Sequence, residues 1–228
     1  MKEVEDLPDG TYNIAIKLSG GADSSLIYYA LCNKFKNNKD VNIIPVTLGT
    51  DLKPDYIPYS KKIIDIVYNL TGKKPLDHII RYIKHDPIEY DLEQIRMVEY
   101  VIEKYKVRYC FSGLTINPPY KEMVKYFSDN CKTLNLDLSR ISATIESRDK
   151  SRDTSTYVSN DFSQRPFGNN DKKYVAKYYK KYNVLESLYP YTHSCEAFEK
   201  ATDHDGNALH CGHCYFCAER WWGFGRLV

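Results

Sequence analysis

A short loop near the start of this 228-residue chain has residue types and spacing suited to chemistry. The segment Ser19-Gly20-Gly21-Ala22-Asp23-Ser24-Ser25 follows an alternating apolar run and precedes a stretch of helix formers. A strand-to-helix turn of this kind exposes backbone N–H groups at a helix N-terminus, where the helix dipole favours an anion. Since glycine has no Cβ, the backbone can bend sharply and approach a phosphate closely. The loop is therefore predicted to hold a phosphate group.

A second candidate site consists of four cysteines with the spacing C-x15-C-x2-C-x2-C, namely Cys195, Cys211, Cys214 and Cys217. Four thiolates with no open position suit a structural Zn²⁺ ion. A soft shell made only of sulfur also suits an iron–sulfur cluster. The compact spacing of the cysteines favours zinc, and the sequence does not exclude an iron–sulfur cluster.

The other cysteines and the neighbouring histidines are assigned lesser roles. Because they have no regular spacing, three cysteines are predicted to be buried small apolar residues: Cys32, Cys110 and Cys131. Four histidines near the cysteine cluster are predicted to lie at the surface, although one of them could replace a cysteine ligand: His193, His204, His210 and His213.

Alternating strand-like and helix-like segments must position these groups. Strands are predicted at 14–18, 41–48, 78–83 and 107–112, and helices at 26–35, 59–70, 91–105 and 174–182. Such units predict an α/β fold with a doubly wound parallel sheet. Ligands of these sheets bind beyond the carboxyl ends of the strands, which places Thr47 and Gly113 beside the loop. Residues 1–189 are expected to form this domain, and residues 190–228 a small zinc-binding segment packed on it.

The pattern S-G-G-x-D-S resembles the pyrophosphate loop of the N-type ATP pyrophosphatases, the PP-loop superfamily. Neither the G-x-x-x-x-G-K-[ST] loop nor the G-x-G-x-x-G loop is present. The resemblance implies a Rossmann-like fold of the adenine nucleotide α-hydrolase type and cleavage of ATP into AMP and pyrophosphate. Asp23, the only carboxylate in the loop, is the expected Mg²⁺ contact, and Ser24 and Ser25 are expected to donate to the pyrophosphate.

The C-terminal part is similar to one member family, the 7-cyano-7-deazaguanine synthases. The similarity lies in Thr192-His193-Ser194-Cys195 and in Cys211-Gly212-His213-Cys214-Tyr215-Phe216-Cys217 with the Ala-Glu-Arg that follows. It implies a zinc site, and a lysine that reaches the ATP phosphates, here Lys172. It also implies adenylation of 7-carboxy-7-deazaguanine or a related carboxylate, which ammonia then converts to an amide and a nitrile.

Other acceptors remain open, because two family segments are missing. Gly113-Leu114-Thr115-Ile116-Asn117-Pro118-Pro119-Tyr120 does not match the family's substrate-pocket segment, and Leu48-Gly49-Thr50-Asp51 replaces another. The alternatives are sulfur transfer to tRNA with an iron–sulfur cluster, and conjugation of a deazapurine to a protein or nucleic acid. The alternative without catalysis is an ATP-sensing zinc protein.

Composition is ordinary for a soluble globular protein, with 27% charged and 43% apolar residues. A net charge of +2 gives no electrostatic case for a nucleic-acid partner, without excluding one. Because no signal-peptide or membrane-spanning pattern is present, a cytoplasmic protein without a membrane partner is expected. Homodimers are common in the resembled family and are one expected assembly. The polar stretch 139–170 is expected to be a lid, a binding loop or a disordered segment, and Arg148 and Arg152 either clamp an anionic substrate there or belong to an exposed charged loop.

Overall fold

The computed structural model describes residues 1–119, 121–123, 125, 161–195, 202, 209–212 and 214–228. Its centre is a parallel sheet with the strand order β3-β2-β1-β4-β5. The strands are β1 (Tyr12–Lys17), β2 (Val41–Thr50), β3 (Ile79–Ile83), β4 (Val107–Ser112) and β5 (Ser163–Gln164). The predicted α/β fold with a parallel sheet is therefore confirmed.

Helices cover both faces of this sheet, as the doubly wound prediction requires. They are α1 (Lys2–Glu5), α2 (Ala22–Lys34), α3 (Tyr56–Thr71), α4 (Pro87–Tyr105), α5 (Lys172–Lys181) and α6 (Tyr215–Phe224). Side chains alternate along a strand, so Ile14 and Ile16 face the core that includes α2 and α3, and Ala15 faces α4. Among the described residues no helix is long and apolar enough to cross a bilayer.

The path of the chain creates a crevice beside β1. From β1 the chain runs outward through β2 to β3, and then returns to place β4 on the other side of β1. The direction of winding reverses between β1 and β4, and ligands of open α/β sheets bind at such a reversal. The loop after β1 and Gly113 after β4 both lie at this point.

The spacing of apolar residues in the sequence predicts one buried face of α4, formed by Leu92, Ile95, Val98, Ile102 and Tyr105, and the structure corrects this prediction: of these five, Val98 and Tyr105 pack against the core. Leu92, Ile95 and Ile102 are 42%, 54% and 38% exposed. The buried residues are Glu93, Met97 and Val101, which recur at every fourth position and so share one side of the helix. Glu93 is tolerated there because its carboxylate pairs with Arg81 at 3.2 Å and with Arg96 at 3.3 Å.

Helix boundaries and the polar stretch also differ from expectation. Helix α2 begins at Ala22 rather than at residue 26, so the last residues of the loop form the first helical turn. Strand β5 falls inside the stretch 139–170 that is predicted to be irregular. Arg148, Arg152 and Cys131 lie outside the described residues, so their predicted roles remain predictions.

Candidate active site and cysteine cluster

The loop after β1 is shaped by a glycine and two serines. Gly20 has φ +79°, and a Cβ at this position would lie 2.5 Å from the Cβ of Tyr59. The Ser24 hydroxyl accepts from the backbone N–H of Ser19 at 3.4 Å and donates to the Gly21 carbonyl at 3.3 Å. Ser19 and Ser24 therefore stabilise the bend of the loop through hydrogen bonds within it. Ser25, which is also predicted to donate to a phosphate, is fully buried behind the loop.

The first turn of α2 has the features of an anion cradle. Gly21 occupies the N-cap position in an extended conformation, and as a glycine it has no side chain with which to cap the helix. The first N–H groups of a helix have no partner within the helix, so they can donate to a phosphate. Gly113 lies against this turn, since a Cβ there would come within 2.5 Å of the Ser24 nitrogen. The close approach of β4 to α2 is thus open only to glycine.

Lys172 and Asp23 form an ion pair beside this turn. A second carboxylate oxygen, Oε2 of Glu219, lies 3.7 Å from the Lys172 amine. All three side chains are largely buried, with 7%, 12% and 2% of the side chain exposed for Lys172, Asp23 and Glu219. Two carboxylates thus lie against one ammonium, and the buried Arg220 guanidinium is close enough to interact with Asp23 as well.

A divalent cation fits the chemistry of this group. The Asp23 Oδ1 atom is buried and has no hydrogen-bond partner among the described residues. A buried carboxylate oxygen without a donor is costly, and a hard cation such as Mg²⁺ binds oxygen ligands of this kind. The carboxylate of Asp23 would therefore be the ligand that the loop contributes to Mg²⁺.

Helix packing explains how Lys172 reaches the loop. The Asp171 carboxylate caps α5 by accepting from the N–H groups of Lys173 and Tyr174, so Lys172 is the first residue of the helix. A Cβ at Gly223 of α6 would lie 2.5 Å from the Cβ of Lys172. Farther along α5, the Tyr179 hydroxyl donates to the Ala22 carbonyl at 2.8 Å. Helix α5 is fixed against both α6 and the loop.

Thr47 lies near the crevice, but its hydroxyl is used within the fold. It donates to the Leu18 carbonyl at 2.7 Å and lies 2.9 Å from Nε2 of His78. Its neighbours Val46 and Leu48, rather than Thr47, line a pocket of about 260 Å³ at the carboxyl ends of β1, β2 and β4. This pocket opens beside Ser19, Ser24 and Gly113, and so adjoins the loop.

The four predicted cysteine ligands come together in one cluster. Their Sγ atoms all lie within 4.8 Å of one another, and two pairs lie 3.9 Å apart. Zn–S bonds of about 2.3 Å place tetrahedral sulfurs about 3.8 Å apart, so the geometry fits one zinc ion. An iron–sulfur cube attaches each thiolate to a different iron, which keeps the sulfurs farther apart. Backbone N–H groups of Cys214 and Cys217 point at sulfurs of the cluster, which suits bound thiolates.

The cysteine cluster lies next to the loop through His193. The backbone N–H of His193 donates to the Gly20 carbonyl at 2.9 Å, two residues before Cys195. Its ring stacks on Tyr59 at 4.5 Å and is buried, so the predicted surface position of His193 is wrong. The His210 ring is a second neighbour of the His193 ring, with the two ring centres 4.7 Å apart. His204 and His213 lie outside the described residues.

Three residues of α6 at or beside the site have no role predicted from the sequence: Glu219, Arg220 and Gly223. Arg220 is fully buried, and its guanidinium lies 3.9 Å from the ring centre of Tyr189 and donates to the Tyr189 carbonyl at 2.9 Å. A charged Glu-Arg pair inside an otherwise apolar and aromatic helix was the available signal. Cys32 and Cys110 are buried, as predicted.

The chain is thus a parallel α/β protein with an uncapped loop-to-helix cradle, a buried lysine beside it and a four-cysteine cluster. No protein-family model matches the chain, and no curated protein matches it either. Among solved structures, it is similar to the U34-tRNA thiolase NcsA from Methanococcus maripaludis with its [4Fe-4S] cluster. Identity is 15%, the TM-score is 0.44, and the alignment covers 83% of this chain and 63% of the thiolase. The chain spans less than two thirds of that protein's length.

Proposed function

We propose that this chain is an N-type ATP pyrophosphatase that adenylates a carboxylate and releases pyrophosphate. The observation that carries the proposal is the buried pair of Lys172 and Asp23 beside the uncapped first turn of α2. An anion cradle, a desolvated cation and a carboxylate oxygen without a donor together match the needs of ATP with Mg²⁺. The loop residues Ser19 to Ser25 and Gly113 would surround the phosphates.

Each group of the site would act on a different part of the triphosphate. The first-turn N–H groups of α2 would bind phosphate oxygens, and Asp23 would bind Mg²⁺, which neutralises charge on the phosphates when it is present. Lys172 would leave its ion pair with Asp23 to stabilise the charge that develops on pyrophosphate. The acceptor carboxylate forms a bond to the α-phosphorus while the bond from that phosphorus to the bridging oxygen breaks. Pyrophosphate leaves with the electron pair.

In the second half of the reaction, ammonia attacks the acyl group that adenylation has activated. Ammonia adds to the acyl carbon, loses a proton, and AMP departs as the amide forms. A second ATP would activate the amide oxygen in the same way and release a second pyrophosphate; the C–O bond then breaks, AMP departs with that oxygen, and loss of the two N–H protons gives the nitrile. We propose 7-carboxy-7-deazaguanine or a related carboxylate as acceptor, on the resemblance in the C-terminal cysteine segment.

Zinc in the cysteine cluster would have a structural role in this reaction. Four sulfur ligands complete the tetrahedral coordination shell of a zinc ion, so no coordination position remains for a substrate. The spacing of the sulfurs favours zinc over the cluster that tRNA thiolation would use, which supports amination over sulfur transfer.

The test is incubation of the zinc-loaded protein with ATP, Mg²⁺, ammonium and 7-carboxy-7-deazaguanine. We expect AMP, pyrophosphate and a nitrile, measured by ion-exchange chromatography and mass spectrometry. If AMP is released only in the presence of tRNA and a sulfur donor, the acceptor is tRNA and not the deazapurine carboxylate. If ATP is bound but no candidate acceptor yields AMP, the adenylation proposal is wrong.

A further inference from the structure

The side-chain amide of Gln94 in α4 has its orientation set by a lysine of the sheet. Lys17 ends β1, and the alternation of the strand directs it toward α4, on the same side as Ala15. Its amine donates to the Gln94 amide oxygen at 2.8 Å. An ammonium group has donors and no acceptor, so the amide must turn its oxygen, and not its nitrogen, toward Lys17. The two donors on the Gln94 nitrogen are therefore directed elsewhere.

The amide nitrogen of Gln94 is accessible to a ligand. Among the described residues it has no hydrogen-bond partner, because the contact with Lys17 is the one hydrogen bond that Gln94 makes with them. The nitrogen is not a fully buried atom either, so water reaches it. A ligand atom that accepts a hydrogen bond can take the place of that water.

Gln94 lines the pocket beside the phosphate loop. Tyr90, Gln94 and Met97 recur at helical spacing and form the wall that α4 contributes. Val46 and Leu48 of β2 add apolar side chains. The pocket has a volume of about 260 Å³, which gives room for a purine-sized ring, and it opens at the phosphate loop. A ring bound here would lie next to nucleotide phosphates held on the cradle.

The orientation of the amide determines which ring edge Gln94 favours. A glutamine that recognises adenine uses both ends of its amide, since its nitrogen donates to a ring nitrogen and its oxygen accepts from the exocyclic amine. The oxygen of Gln94 already accepts from Lys17, whose positive charge repels the hydrogens of a second amine. No carboxylate side chain, the other strong acceptor for an amine, lies among the described residues that line the pocket. Gln94 therefore favours a ring that presents an oxygen acceptor.

We propose that Gln94, positioned by Lys17, selects a ring with an oxo group in this pocket over the same ring with an amino group. The ring is that of the acceptor, so the proposal rests on the proposed adenylation for its place in the reaction. Gln94 is the specificity residue, because it touches the ligand. Lys17 is a positioning residue, because it acts through Gln94.

Hypoxanthine and adenine are the matched probes, since the same ring position carries an oxo group in the first and an amino group in the second. Each is titrated by ligand-observed NMR into the zinc-loaded protein saturated with Mg²⁺ and a non-hydrolysable ATP analogue, which keeps adenine out of the nucleotide site. We expect hypoxanthine to bind at least about tenfold more tightly than adenine. Equal Kd values, or tighter binding of adenine, would overturn the proposal. So would loss of hypoxanthine binding in the presence of the ATP analogue, because the pocket would then belong to the nucleotide.

Variants separate the two roles. Lys17→Met frees the amide to turn its oxygen toward a ligand, so the preference for hypoxanthine should largely disappear. Lys17→Arg keeps a donor at this position and should retain the preference, and Lys39→Met, at an exposed position, is the control. Gln94→Met removes the donors and should abolish the preference even if Lys17→Met does not fold. A full preference in folded Lys17→Met or Gln94→Met, as judged by the melting temperature, would show that the assignment is wrong.

The same measurements distinguish this proposal from the adenylation itself. A preference for hypoxanthine in a protein that forms no AMP with any acceptor would leave the pocket assignment standing while the adenylation proposal fails. AMP formation by a protein that binds the two bases equally would support adenylation and overturn the role of Gln94.

Discussion

The amine of Lys172 pairs with the carboxylate of Asp23 although the two residues are 149 positions apart in the chain. Asp23 lies in the first turn of α2 and Lys172 in the first turn of α5. Two helices thus begin at one point, and each contributes a charged group there. The pair lies at the reversal between β1 and β4, where the fold provides a crevice for a ligand.

Replacement of Lys172 by methionine should lower AMP formation by roughly 10²–10³-fold, because a preorganised cation is lost from the leaving group. It should also destabilise the fold by about 3–5 kcal/mol, since the buried carboxylates of Asp23 and Glu219 lose the ammonium that pairs with both. Turnover and urea unfolding measure the two effects. Lys173→Met is the matched control: Lys173 is half exposed and pairs with Glu122, so its removal should change neither quantity much. Equal turnover in the two variants would contradict the assignment of Lys172.

Glu219 should act as a positioning residue for Lys172. Glu219→Gln keeps the side-chain size and removes the charge 3.7 Å from the amine. We expect kcat for AMP formation to fall several-fold while the KM for ATP changes little, because Lys172 then stays bound to Asp23 alone. Glu186→Gln, at an exposed glutamate that pairs with Arg226, is the control. A change confined to KM would argue against positioning.

Gly113→Ala should abolish ATP binding without unfolding the protein. The added Cβ would meet the Ser24 nitrogen at 2.5 Å, which forces β4 away from the first turn of α2. Gly72→Ala serves as control: Gly72 has φ +73° and no atom within 4 Å of its Cβ position. That variant should lose about 1 kcal/mol of stability and keep its ATP affinity. Calorimetric titration with ATP would distinguish the two, and normal binding by Gly113→Ala would refute the cradle.

The purified protein should contain one zinc ion per chain and be colourless. Cys217→Ser should release the zinc and lower the melting temperature, because a structural zinc site contributes directly to folding. Cys32→Ala, at a buried cysteine outside the cluster, should keep its zinc. Elemental analysis measures the bound metal, and the visible spectrum shows whether an iron–sulfur cluster is present. Iron with broad visible absorbance after anaerobic purification would mean a cluster instead of zinc.

His78 should make stability depend on pH. Burial lowers its pKa from about 6.5 to about 4, and its Nε2 lies 2.9 Å from the Thr47 hydroxyl. Between these two values the unfolded chain binds a proton that the folded chain does not. Stability therefore increases as pH rises from 4 to 6.5. The contribution is roughly 1–2 kcal/mol, since the ring is only partly buried.

The matched variant for this effect is His78→Gln, which keeps a polar group beside Thr47 and does not titrate. Urea unfolding at pH 4.5 and at pH 7 should show a smaller difference in the variant than in the wild type. Parallel pH dependences in the two proteins would show that another group is responsible.

The sequence by itself determined the groups whose members are close along the chain. The loop after β1, the strand and helix order and the cysteine spacing follow from local backbone preferences and from the reach of a few residues. Residues 107–112 form β4 as predicted, because a short segment rich in β-branched and aromatic residues and bounded by glycine favours a strand.

Only the tertiary structure decided which distant groups meet. Glu219 approaches Lys172 because Gly223 lets α6 pack closely on α5. Lys17 meets Gln94 of α4 because the alternation of β1 and the position of α4 together select that side of the sheet. Such contacts depend on helix packing and strand order, and these are set by the burial of the whole core rather than by local spacing.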